Sequence, residues 1–193
     1  GIELTRSVKN NEKTSHIPII MLTAKSSVES KIEGLENEAD DYLTKPFNIT
    51  ELQLRIKNIL KSRHKLQEKY NKSITVNPSE ITTTSVDEKF LSKLLKIVED
   101  NMSNSGFSVE FLCDAVGMSR ANIHKKLKQL LNQSATEFIN SVRLKRAAQL
   151  IRKNTGNISE IAYDVGYNNL SYFSRAFKKH FNMTPKEMME KNK

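Results

Sequence analysis

Between Leu170 and Phe181 one helical face gathers Ser171, Ser174, Arg175, Lys178 and Lys179. Phe173, Phe177 and Phe181 recur every four residues on the other face. Hydroxyls, a guanidinium and two ammonium groups on one face suit hydrogen bonds to base edges and phosphates. Just upstream, Ile158, Ile161, Ala162 and Val165 fall at i, i+3, i+4 and i+7, the apolar stripe of a short amphipathic helix. Gly166 is placed to end that helix, since glycine takes the left-handed conformation a tight turn needs. A short helix, a glycine turn and a helix with one aromatic and one basic face read as a helix-turn-helix whose second helix enters a DNA major groove. An αα-hairpin with a solvated basic face would look the same if the pattern stood alone.

It does not stand alone. From Ser108 the chain reads SVEFLCDAVGMSRANIHKKLKQLLNQSATEFI. With Gly117 set on Gly166, Val109 pairs with Ile158, Leu112 with Ile161, Cys113 with Ala162 and Val116 with Val165. One extra residue in the second turn then aligns Ile123 with Phe173, Leu127 with Phe177, Leu131 with Phe181 and Glu137 with Glu187. The helix-turn-helix units so defined span about residues 108–132 and 158–182. Ser119, Ser134, Asn168 or Asn169, and Thr184 stand where N-caps are wanted. Between the copies, residues 134–153 read as one continuous helix of roughly 30 Å. A rigid strut of that length can hold two recognition helices against successive major-groove faces, about 34 Å apart on B-DNA.

The charge agrees with this placement. The chain has 193 residues and a formal net charge of +9. Residues 1–69 carry 12 Lys or Arg against 10 Asp or Glu, and residues 70–193 carry 19 against 12. The basic excess thus lies with the repeat, as phosphate neutralisation requires. Cys113 is the single cysteine, which excludes an intrachain disulfide and a cysteine zinc cluster. It falls on an alanine-sized core position, so it reads as packing, not as a nucleophile. The four histidines are scattered, so the expectation is no metal site, no cofactor and no catalytic residue. No apolar run approaches a membrane span, and no signal peptide is seen, so the chain is expected to be soluble and cytoplasmic.

The first 69 residues have another character. Residues 1–9 read as a helix with Ile2, Leu4, Thr5 and Val8 inward. The apolar run at 17–24 reads as a strand covered on both faces. Residues 26–38 form an amphipathic helix, with Val28, Ile32 and Leu35 on one side. Residues 39–46 form a second strand, and 49–67 a long helix with Leu52, Ile56, Ile59 and Leu60 inward. Strand, helix, strand, helix implies a parallel unit with a right-handed crossover. Residues 70–86 read as a linker with one extended piece at 73–76. The helix of residues 87–101 then buries Phe90, Leu91, Leu94, Leu95 and Val98, with Ser85 as cap and Glu88 completing a capping box.

PIIMLTA, then EGLENEADDYLTKPF, then a closing helix resembles the second half of a response-regulator receiver domain. The resemblance implies a partial α/β, flavodoxin-like fragment with two parallel strands. It places the phosphoryl-sensing threonine and lysine on Thr23 and Lys45, with a cis bond between Lys45 and Pro46. The phosphoaccepting aspartate and the acidic pair that holds magnesium belong to earlier strands of that family. Asp40 and Asp41 belong to the segment entering the second strand and do not replace them. Magnesium is therefore expected only in an intact receiver, and this chain is not expected to be phosphorylated in the ordinary way. The exposed edge of the 17–24 strand is expected to be covered by a second copy, giving a homodimer.

VRLKRAAQLI, ISEIAYDVGY and SYFSRAFKKHFNMTPKEM are similar to the DNA-binding domain of AraC-type transcription regulators, over about residues 87–193. The implied fold is mainly α: an all-α domain with two helix-turn-helix units joined by a long helix. The resemblance places base-reading positions on Ala121, His124 and Lys125, and on Ser171, Ser174 and Arg175. It places backbone contacts on Lys128, Lys178 and Lys179. Ala121 departs from the pattern, being able only to touch a thymine methyl. A receiver joined to such a domain also resembles the output end of hybrid two-component systems. There one inner-membrane protein carries a sensor, a histidine kinase, a receiver and this regulator, often over polysaccharide-utilisation genes. The expected partners are double-stranded DNA, RNA polymerase and the kinase region of the parent protein. Two competing functions are weighed against a DNA-binding regulator. One is phosphotransfer signalling through the receiver, opposed by the missing aspartate strand. The other is a module for an acidic protein, opposed by the repeated polar face and the strut between its copies.

Overall fold

A computed structural model describes residues 1–24, 39–75 and 77–191. They divide into two compact units, the first holding Gly1–Asn71, Asn77–Leu91 and Gln129–Leu131, the second the remainder.

In the first unit, α1 (Ile2–Asn10) precedes β1 (Ile20–Thr23) and β2 (Asp41–Thr44), which pair in parallel with Ile20 opposite Asp41 and Thr23 opposite Thr44. The expected crossover helix at 26–38 lies outside the described residues. β1 is shorter than the apolar run that contains it. Pro18 has no N–H to give a ladder, and Ile19 spends its N–H on Asp40 Oδ2 at 2.8 Å. Nor is the strand sealed on both faces, for Leu22 is 43% exposed.

The inward face of α1 differs from the expected one. Leu4 is 69% exposed, and the buried residues are Thr5 and Lys9. The Lys9 ammonium is drawn in by Asp40, which it meets in an ion pair. α2 (Ile49–Lys72) runs past the expected end at Gln67. Leu52 and Ile59 are half-buried as expected, but Ile56 and Leu60 are exposed. Two four-residue strands are too narrow a platform to cover a stripe that wide.

Residues 73–75 form no strand, and a 3-10 turn at Pro78–Glu80 follows. α3 (Ser85–Asp100) is capped one residue earlier than expected. Thr84 Oγ1, not Ser85, accepts from Asp87 N at 3.1 Å. Both residues carry a hydroxyl, and tertiary packing chooses between them. Asp87 is fully buried, with Ser15 donating to its Oδ1 at 2.6 Å. Phe90, Leu91, Leu94, Leu95 and Val98 are buried as the periodicity predicts.

The second unit contains the repeat, except Gln129–Leu131 at the end of its first copy. α4 (Val109–Val116) and α5 (Arg120–Leu131) form one copy, α7 (Ile158–Asp164) and α8 (Leu170–Phe181) the other. α6 (Ala135–Arg152) runs between them and α9 (Pro185–Glu190) closes the chain. Its punctuation is repeated as well. Gly117 and Gly166 are left-handed at φ 75° and 81°. Ser119 and Asn169 cap the second helices. Ser134 with Glu137, and Thr184 with Glu187, close reciprocal capping boxes. Asn132 and Asn182, both left-handed, end α5 and α8 in a matching way the spacing did not reveal.

The core of this unit joins Ala147, Ala148 and Ile151 of α6 to Ile161, Ala162, Phe173, Phe177 and Met188. Tyr167 and Phe173 lie 5.2 Å apart between ring centroids, Phe173 and Phe177 5.7 Å, Phe177 and Phe181 4.7 Å, within the range of favourable aromatic pairs. Among the described residues no helix is long and apolar enough to cross a membrane.

Candidate nucleic-acid interface

Each second helix of the repeat has a buried face and an exposed face, with Lys126 buried on α5 beside the apolar anchors. On α5, Ile123 and Leu127 are 0% exposed, while Ala121, His124, Lys125 and Lys128 face solvent. On α8, Phe173 and Phe177 are 0% exposed, while Ser171, Arg175, Lys178 and Lys179 face solvent and Ser174 is half-buried. The apolar anchors fix the rotation of each helix, and the polar face follows from it. Lys125, Lys128, Arg175, Lys178 and Lys179 make no ion pair among the described residues. By contrast Arg120, the first residue of α5, is held by Glu110 at 3.0 Å. Lys178 and Lys179 stand in the last turn of α8, where the helix dipole favours cations. Arg175 Nε donates to Ser171 O at 3.3 Å, one turn back along the same helix.

The 18 residues of α6 span about 27 Å at 1.5 Å per residue. It is buried on nearly every side: Ser141, Arg143 and Lys145 are buried along with its apolar residues. Arg143 Nη2 donates to Asn104 O at 2.6 Å. These interior polar groups escaped sequence reasoning. Burial pushes Lys145 down to about 7. Burial, and then the nearby Lys145 charge, pushes His180 down to about 4.

Lys145 therefore implies a pH dependence. Its folded pKa lies below the ordinary lysine value of 10.5. Between about 7 and 10.5 the unfolded chain holds the extra proton, so stability rises with pH across that window. Unfolding free energies at a series of pH values should show that rise in the native sequence, and a flatter profile in Lys145→Met.

In the first unit, Thr23 ends β1 and Lys45 follows β2, with Lys45 N donating to Thr23 O at 2.7 Å. Both thus stand at the carboxyl ends of parallel strands, where open α/β sheets bind ligands. The bond from Lys45 to Pro46 is cis. Asp40 and Asp41 stand at the other end of β2, occupied by Lys9 and Arg63 and by Arg55 respectively. Magnesium beside Thr23 and Lys45 would need carboxylates, and these two do not fit that role. Among the described residues no group of three or more His, Cys, Asp or Glu could hold a metal ion.

Comparison with known proteins follows the same division. Residues 112–191 match the family described as "Helix-turn-helix domain", and residues 1–57 the "Response regulator receiver domain". Histidine kinase P4 of Formosa agariphila is 49% identical over 97% of this chain, which spans 14% of that protein. The xylose operon regulatory protein of Escherichia coli is 36% identical over 48% of the chain, and 24% of that protein is covered. A transcriptional regulator from Chromobacterium violaceum, described as containing an AraC-type DNA-binding domain, shares 27% identity at a TM-score of 0.50. That match covers 54% of this chain and 93% of the other.

Proposed function

We propose that the chain, which matches a response regulator receiver domain over residues 1–57 and a helix-turn-helix domain over residues 112–191, is a DNA-binding transcription regulator of AraC type that reads operator DNA with two unequal recognition helices. The observation that carries the reading is the doubled face. Twice, two fully buried side chains hold a helix so that its unpaired cations face water. Arg175, Ser171 and Ser174 read bases from α8, and Ala121, His124 and Lys125 do so from α5. Lys128, Lys178 and Lys179 hold phosphates. Thr23 and Lys45 are the phosphoryl-sensing remnants of the receiver segment. No catalysis is assigned to this chain.

The 49% identity to a histidine kinase over nearly the whole chain supports a place at the output end of a longer hybrid two-component protein. Control of carbohydrate-utilisation genes is part of the same reading. The kinase region of the longer protein, RNA polymerase and a second copy of the chain are the protein partners it adds to DNA.

Binding to duplex DNA over a salt series tests the reading. Affinity should fall steeply and linearly in log–log form as counterions are released. A protein-docking module would bind a selected operator no more tightly than a random duplex at any salt concentration. Lys178→Ala should weaken all sequences alike and lower the slope by about one, as the loss of one phosphate contact requires. An unchanged slope would remove Lys178 from the backbone contacts.

A further inference from the structure

At the end of the strands opposite Thr23 and Lys45, the first unit carries a half-open cleft of about 410 Å³. Lys9 of α1, Asp40, Asn58, Ser62 and Arg63 of α2, and Thr84 line it. Asp40 marks the level: its Oδ2 accepts from Ile19 N, the residue before β1. Four residues of strand separate this level from Thr23 and Lys45, about 13 Å.

The charge of the lining is unbalanced. Two cations, Lys9 and Arg63, share one carboxylate, with side chains 1%, 12% and 11% exposed respectively. Burial by itself would raise the Asp40 pKa. The hydrogen bonds from Lys9, Ile19 N and Arg63 outweigh it and hold the carboxyl below its ordinary value. Asp40 is thus ionised at neutral pH, and the three groups carry one net positive charge. A cleft with such an excess, walled by protein, concentrates counterions.

Arg63 supplies the second sign. Its Nη2 donates to Asp40 Oδ1 at 3.0 Å and its Nη1 to His16 O, so both ends of the fork are committed. Its Nε is buried and has no acceptor among the described residues. A buried guanidinium N–H without a partner is costly and calls for one. Among the described residues of the lining, no other carries negative charge.

We propose that this cleft binds a small oxyanion, to which Arg63 Nε–H and the Lys9 ammonium donate, with Asn58 and Ser62 as further donors. The shared chemistry is a compact anion with two or more acceptor oxygens, from a phosphate or a carboxylate source. Such a site lies apart from the phosphoryl-sensing pair and needs none of its residues.

The test uses the full chain, labelled with nitrogen-15, and follows the Arg63 Nε–H resonance with the Ser62 and Thr84 amides. Sodium phosphate and sodium acetate are titrated against sodium chloride at equal ionic strength. The expected result is a saturable shift of those signals that chloride does not produce. A response to phosphate alone assigns a phosphate source, and a response to both assigns any small oxyanion. Ser62→Leu removes a proposed donor and narrows the cleft while leaving the ion pairs of Asp40 in place, so it should weaken the shift without unfolding the chain. If phosphate moves only the neighbours of Arg175, Lys178 and Lys179, or if Ser62→Leu responds as the native chain does, the proposal is overturned.

Discussion

Gly166→Ala should destabilise the second unit by about 2–5 kcal/mol, whereas Gly117→Ala should cost only about 1–2 kcal/mol. The two glycines hold the same place in the repeat and nearly the same backbone, φ 81° and 75°. Any L-residue meets the left-handed penalty at both. They differ in what surrounds them. A Cβ at Gly166 would lie 2.5 Å from Met102 O and 2.9 Å from Arg143 Cζ and Nη2. The first is backbone and the second belongs to a buried side chain bonded to Asn104 O, so neither can step aside. A Cβ at Gly117 meets nothing within 4 Å. Valine at 166 should do worse still, since β-branching resists positive φ. Hydrogen exchange of the Phe173 and Phe177 amides reads the stability of this unit directly. Equal losses at the two glycines would mean that backbone strain alone sets the cost.

That asymmetry marks where sequence reasoning stops. A glycine ending an apolar 3.6-residue period can be read from spacing, and so can the caps at Ser119, Ser134 and Thr184, because each rule is local. What fills the space beside Gly166 depends on Met102 and Arg143, far away in the chain. The same holds for Thr84, which caps α3 in place of Ser85 because Ser15 fixes the buried Asp87. Leu4, Ile56 and Leu60 were read as inward from a period that only says which residues share a face. Whether that face is covered depends on how wide the sheet beneath it is. Lys145 and Arg143 were missed for the opposite reason. On a helix enclosed on nearly all sides, position no longer sorts polar from apolar. The DNA-facing residues were legible because the anchors opposite them, Ile123, Leu127, Phe173 and Phe177, are large, apolar and regularly spaced.

Arg175→Ala should cost about 1–3 kcal/mol of operator affinity and relax preference at one base pair. The geometry divides the guanidinium between two tasks. Nε is tied to Ser171 O at 3.3 Å, which steadies the side chain along α8. The two Nη nitrogens make no hydrogen bond or ion pair among the described residues. A planar pair of donors held in this way matches O6 and N7 of guanine. Lys125, its counterpart on α5, has a single ammonium on a flexible stem, so its loss should blur specificity less. Arg175→Lys separates charge from fork. If Arg175 reads a base, lysine should keep the salt slope and lose much of the discrimination. If it only neutralises phosphate, lysine should restore nearly all the affinity. The measurement is a binding series on a selected operator and its single-base variants, at two salt concentrations. Should Arg175→Ala weaken every variant by the same factor, the arginine contacts backbone alone and the reading face must be sought elsewhere on α8.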